Sequence, residues 1–160
     1  MATTNLSIYD PQHVPSGKNK RVALVVSEWN SSVTEPLLQG AYDTLLKYDV
    51  APEDLTTYRV SGSFELIYGC ARLIHDLATK PDCIIALGCI VRGETPHFDY
   101  ISQAVSVNLG ALNREGKVPV VFGVLTTDTM EQATDRSGGK HGNKGVEAAI
   151  TALKLMALSE

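Results

Sequence analysis

The sequence predicts a three-layer α/β/α sandwich, a four-stranded parallel sheet with helices on both faces. Three observations carry this reading. Short β-branched runs alternate with segments whose apolar residues recur every three or four positions, the pattern of βαβ units. The run 83–87 is apolar throughout, as in a parallel strand covered on both sides. Residues able to do chemistry gather directly after the runs, at strand carboxyl ends, where open α/β sheets bind ligands. Parallel strands joined through helices also require right-handed crossovers.

The 160 residues suit one folded unit at 21–160, preceded by a polar arm at 1–20 that Pro11, Pro15 and Gly17 keep irregular. Residues 5–8 of that arm are apolar enough to add an edge strand. The first core strand is 21–27, RVALVVS. Ser32 and Glu35 then resemble a capping box, with Pro36 in the first helical turn. Val33, Leu37, Ala41, Leu45 and Tyr48 give that helix one apolar face. Residues 55–60 form a second, shorter strand, and Leu66, Cys70, Leu73 and Leu77 mark the next helix.

The third strand is the run 83–87, followed by a polar segment 89–97 and a helix on Ile101, Val105, Leu109 and Leu112. The fourth strand is 118–125, VPVVFGVL. Residues 128–131 cap a short helix that carries Arg136, a glycine-rich turn spans 137–145, and the last helix carries Val146, Ala149, Ile150, Leu153 and Ala157.

Composition excludes several classes of function. A net charge of −4 gives no electrostatic basis for nucleic acid or an anionic membrane. No apolar run approaches the ~20 residues of a membrane-spanning helix, and no apolar signal core opens the chain, so a cytoplasmic protein is expected. Cys70, Cys83 and Cys89 are odd in number and sit in apolar segments, which reads as buried thiols and not as a disulfide framework or a metal site. The patterns GxxxxGK[ST] and GxGxxG are missing where nucleotide folds place them.

Four strand-end segments converge on one sheet edge in this architecture: 28–30, 61–65, 89–97 and 126–128. Trp29, the single tryptophan, offers a π face to a flat heterocycle, or else anchors an interface. Gly62, Ser63, Phe64 and Glu65 place backbone N–H groups at a helix start, a donor set for a carbonyl or an anion. Arg92, Glu94, Thr95 and His97 join a fixed cation, a carboxylate, a hydroxyl and an imidazole within six residues. That set can hold an anion and move a proton, although a plain βα turn would carry the same residues. Arg136, flanked by Lys140 and Lys144, suits phosphate, or else lies on the surface.

Trp29-Asn30, Gly62-Ser63-Phe64-Glu65, 88–100 with its core RGETPHFDYIS, 118–126 and 135–145 follow one another in the order of the lumazine synthase family, which the chain resembles from 21 to 158. The resemblance implies a flavodoxin-like fold. It also implies condensation of 5-amino-6-(D-ribitylamino)uracil with 3,4-dihydroxy-2-butanone 4-phosphate to 6,7-dimethyl-8-ribityllumazine, a transferase step of riboflavin biosynthesis. By matching positions, Trp29 would stack on the pyrimidine, with Asn30 and Gly62 beside it. Ser63, Phe64 and Glu65 would bind the ribityl chain, together with Cys89, Ile90 and Val91. Glu94 and Thr95 would contact the phosphorylated ketone, Arg92 would belong to the substrate-binding set, and His97 would donate the proton.

Phe122 and Arg136 would enter from a neighbouring subunit, Arg136 as a second catalytic residue on the phosphate, and Lys140 would belong to the substrate-binding set. The resemblance further implies a homopentamer, with the compact 136–145 turn favouring an icosahedral sixty-subunit shell, and riboflavin synthase as an associated protein. The substrates are small molecules, and no cofactor or metal is needed. A flavin- or nucleotide-binding module would use the same loops without His97, and a lapsed shell protein would keep only its packing surfaces. The joint presence of Arg92, His97, Phe122 and Arg136 favours the enzyme.

Overall fold

A computed structural model describes residues 9–76 and 80–158. The expected edge strand at 5–8 and the helix position Leu77 lie outside them. The strands are β1 (Val22–Ser27), β2 (Leu55–Val60), β3 (Cys83–Val91) and β4 (Val120–Thr127), all parallel and ordered β2-β1-β3-β4. The helices are α1 (Ser31–Lys47), α2 (Leu66–Ile74), α3 (His97–Arg114), α4 (Met130–Thr134) and α5 (Lys144–Ala157). The predicted four-stranded α/β/α sandwich is the observed one.

Side-chain alternation along the central strands builds two cores. Val22, Leu24 and Val26 of β1, with Cys83, Ile85, Leu87 and Cys89 of β3, pack under α1 and α5. Ala23 and Val25, with Ile84, Ala86 and Ile90, pack under α2 and α3. Both faces are therefore covered, which explains why these strands are unbroken apolar runs. From β1 the chain moves outward to β2, then returns across β1 to β3. The direction of winding thus reverses between β1 and β3, and the crevice at their carboxyl ends is the place where such sheets hold ligands.

Three local readings are corrected. Ser32 and Glu35 form no capping box. The α1 N-cap is Asn30, held in the left-handed region at φ 59°, and Pro36 lies inside the helix beyond its first turn. Glu35 instead grips the Arg59 guanidinium on β2 through both carboxylate oxygens, which holds its carboxyl below the usual range. β3 does not stop at Leu87. Gly88, Cys89, Ile90 and Val91 continue it, in register with Val124, Leu125, Thr126 and Thr127 of β4. The predicted turn at 137–145 contains a small antiparallel hairpin, β5 (Ser137–Gly139) and β6 (Gly142–Asn143).

Asn143 ends this hairpin and starts α5. Its Oδ1 accepts from Gly145 N at 2.8 Å, while its Nδ2 donates to Pro36 O at 2.9 Å and ties the hairpin to α1. Gly145 is required there, because a Cβ would stand 1.9 Å from Leu37 O.

Candidate active site

A cavity of ≈ 350 Å³ opens at the carboxyl ends of β1, β2 and β3, lined by Trp29, Asn30, Ser63, Phe64, Glu65, Cys89, Ile90, Val91, His97 and Ile101. Its volume lies in the range of small-molecule sites. Each wall comes from a different strand end. After β1 the chain is held by the β2 exit: Glu28 N donates to Val60 O at 2.8 Å and Trp29 N to Ser61 O at 3.0 Å. Trp29 follows and is 67% exposed, with Phe64 48% exposed beside the same opening. Two large aromatic faces left in water at one cavity mouth are unusual in a folded chain and suit a planar ligand.

The floor is the β3 backbone. Cys89 O accepts from Asn30 Nδ2 at 3.0 Å and more loosely from Ser63 Oγ at 3.4 Å, so one carbonyl joins all three strand ends. Burial pushes the Cys89 thiol up to about 11, which suits it to wall material and not to nucleophilic attack.

The segment 62–65 is a tight turn before α2. Glu65 carboxylate accepts from Gly62 N at 3.0 Å, and Glu65, Leu66 and Ile67 donate back to the carbonyls of Gly62, Ser63 and Phe64. The expected N–H donor set is thereby narrowed to Ser63 and Phe64. Gly62 does not line the cavity, but it lets Trp29 close down on the turn, since a Cβ would meet the indole at 2.6 Å.

His97 is the first residue of α3, exposed to solvent on one side and to the cavity on the other. Arg92, Glu94 and Thr95 occupy the exposed loop before it and are not part of the lining. Arg92 Nε donates to Asp128 Oδ1 at 2.9 Å, and its Nη1 lies 3.1 Å from Asp99 Oδ1. Hydrogen bonding to Asp128, and then the Asp99 charge, raise the guanidinium above its ordinary pKa.

Phe122, Arg136 and Lys140 do not join this cavity within one chain. Phe122 lies on the edge strand β4, 38% exposed, in a separate groove with Lys144 and Lys154. Arg136 follows α4 and is not carried on it. Its Nη1 donates to Gln132 O at 3.0 Å, and Lys140 pairs with Asp135 at 2.8 Å.

The family model for 6,7-dimethyl-8-ribityllumazine synthase matches residues 19–160, spanning the whole sheet and every cavity residue. The chain belongs to that family. Among its relatives, the 6,7-dimethyl-8-ribityllumazine synthase of Porphyromonas gingivalis is 54% identical, covering 99% of this chain and 98% of the relative. Proteins of the same description from Phocaeicola vulgatus and Parabacteroides distasonis are each 49% identical. The first covers 100% of this chain and 95% of the relative, the second 99% of each. Among the described residues, no helix is long and apolar enough to cross a membrane, and no group of three or more His, Cys, Asp or Glu is placed for a metal ion.

Two features of this lumazine synthase family site were not singled out in the sequence. Ile101 was read only as a core position of α3, yet it lines the cavity. Its spacing of four from His97 is the signal, because residues one turn apart share a helix face. Asp99 and Asp128 hold Arg92, and Asp128 is 36 residues away along the chain. No local pattern links that pair.

Proposed function

We propose that this chain condenses 5-amino-6-(D-ribitylamino)uracil with 3,4-dihydroxy-2-butanone 4-phosphate to 6,7-dimethyl-8-ribityllumazine, a transferase reaction of riboflavin biosynthesis. The observation that carries this reading is the strand-end cavity, two-thirds-exposed Trp29 at its mouth and His97 in its wall, in a chain of the lumazine synthase family. The pyrimidine stacks on Trp29. Its ribityl hydroxyls exchange hydrogen bonds with Ser63, Glu65 and the backbone of Phe64 and of residues 89–91. Glu94 and Thr95 meet the ketone.

The substrate amine attacks the ketone carbonyl, and water leaves as the imine forms. Phosphate is eliminated, the remaining enol tautomerises, and the ribityl-bearing amine closes the ring with loss of a second water. Each step needs a proton delivered or removed beside the former ketone, where His97 acts. Holding two substrates in one crevice supplies the remaining advantage. Arg136 and Lys140 neutralise the phosphate, and Phe122 covers the heterocycle.

Those last three residues stand apart from the cavity of their own chain, which supports a site shared between neighbours in a ring. Such a head-to-tail contact closes into a homopentamer, and the short hairpin at 137–143 favours an icosahedral sixty-subunit shell. Riboflavin synthase is the expected associate in the cytoplasm. The test of the reaction is direct. Mixing both substrates with the protein yields a fluorescent lumazine in proportion to enzyme, and a dark mixture at high enzyme concentration overturns the assignment.

A further inference from the structure

The loop between β3 and α3 is built around Arg92, and its side chain is already engaged. The guanidinium bridges Asp128 of the β4–α4 loop and Asp99 in the first turn of α3, and its Cζ stands 4.1 Å from the centroid of the Phe98 ring. Its own backbone N donates to Thr127 O at 2.9 Å, so it is fixed at both ends. One cation between two carboxylates leaves this cluster with a net negative charge, a poor seat for a phosphate. The second observation concerns α3 itself. Its N-cap is Pro96, which provides no side-chain hydrogen bond, so the helix start that bears His97 has no cap of its own.

From this geometry we infer that Arg92, with Asp99 and Asp128, is a positioning residue for His97 and not a ligand of the phosphorylated substrate. The clamp replaces the missing cap. Asp99 sits where the helix dipole favours a carboxylate, Arg92 ties that carboxylate to the sheet edge, and the guanidinium lies over the Phe98 ring. Loss of any one contact lets the first turn of α3 fray and moves the imidazole away from the ketone. Lysine would keep the charge but not the fork that reaches two carboxylates at once.

The inference rests on the proposed condensation, and steady-state kinetics of the assembled enzyme test it. Arg92→Ala lowers kcat by about 10- to 100-fold, the cost of misplacing a group by about 1 Å, with KM for the phosphorylated ketone changed by less than about twofold. In a His97→Ala background the same substitution costs less than about twofold more, since the two residues act as a unit. Asp128→Asn and Asp99→Asn lower kcat in the same sense, and they carry the test should Arg92→Ala fail to assemble. Arg92→Lys falls between the parent and Arg92→Ala.

A rise in KM with kcat kept, or tighter ketone binding in Asp128→Asn, overturns the clamp and makes Arg92 a phosphate ligand, while a full additional loss in the His97→Ala background overturns it by showing that the two residues act independently. An active parent with unaltered Arg92→Ala kinetics overturns the clamp alone. A parent that forms no lumazine removes the reaction on which the clamp depends.

Discussion

His97 and Trp29 face the same cavity from α3 and from the end of β1, and each makes a claim that one substitution or one titration can settle. His97 stands exposed at a helix start, so its removal should leave the fold intact while taking away the proposed proton donor. His97→Ala should slow turnover about 100-fold, the usual contribution of a positioned acid or base. Product fluorescence under saturating substrates is the measurement, and a parental rate at neutral pH would remove His97 from the chemistry. Trp29 has no other tryptophan to mask it. A ribitylaminopyrimidine analogue should quench its emission in a saturable titration, because stacking alters the excited indole. Emission that stays constant at saturating ligand would place the heterocycle elsewhere.

At the scale of elements, the two long helices on one face are locked by backbone proximity. Gly145 of α5 comes so close to Leu37 of α1 that a methyl group would stand 1.9 Å from a carbonyl oxygen that cannot step aside. Gly145→Ala should therefore cost about 3 kcal/mol, the upper range of overpacking, read as an earlier urea midpoint. Parental stability would mean that α1 and α5 are further apart than described. Such contacts are invisible in the sequence, where Gly145 reads only as the end of a glycine-rich turn. What the sequence does reveal is any element whose reason is local: β1 is a β-branched run, and α1 and α5 repeat at 3.6 residues. Where a distant partner decides, the local pattern misleads. Glu35 looks like a capping residue but is taken by Arg59, 24 positions away, and Gly88 looks like a strand end but is paired by Val124. The site follows the same rule. Its strand-end segments were legible because topology sends them to one edge, whereas Ile101 and the carboxylates around Arg92 depend on how α3 and the β4–α4 loop are docked.

At the scale of the whole molecule, the proposed site residues fall into two separate groups. His97 lines the cavity, Phe122 and Arg136 stand outside it, and Tyr68, Tyr100, Val107 and Met130 are exposed on the helices. If neighbouring copies complete each site, inactive His97→Ala and Arg136→Ala chains refolded together in equal amounts should regain activity. Random mixing then gives roughly a quarter of the interfaces both intact residues. Sedimentation of the same material should show a megadalton-scale particle for a closed shell, against a single pentamer peak for an open ring. Failure to regain activity in proven mixed assemblies would confine each site to one chain.

The three thiols differ in how far burial raises them. Desolvation pushes Cys70, on the buried face of α2, and Cys83, at the start of β3, up to about 12, and both are fully buried. A thiolate is what reagents attack, so these two stay silent until the chain around them opens. Cys89 is buried as well, its side chain in the core beneath α1 and α5 while its carbonyl meets the cavity residues Asn30 and Ser63, and burial raises its thiol less, to about 11. Cys70 and Cys83 thus act as clocks within the scaffold, recording how often it breathes.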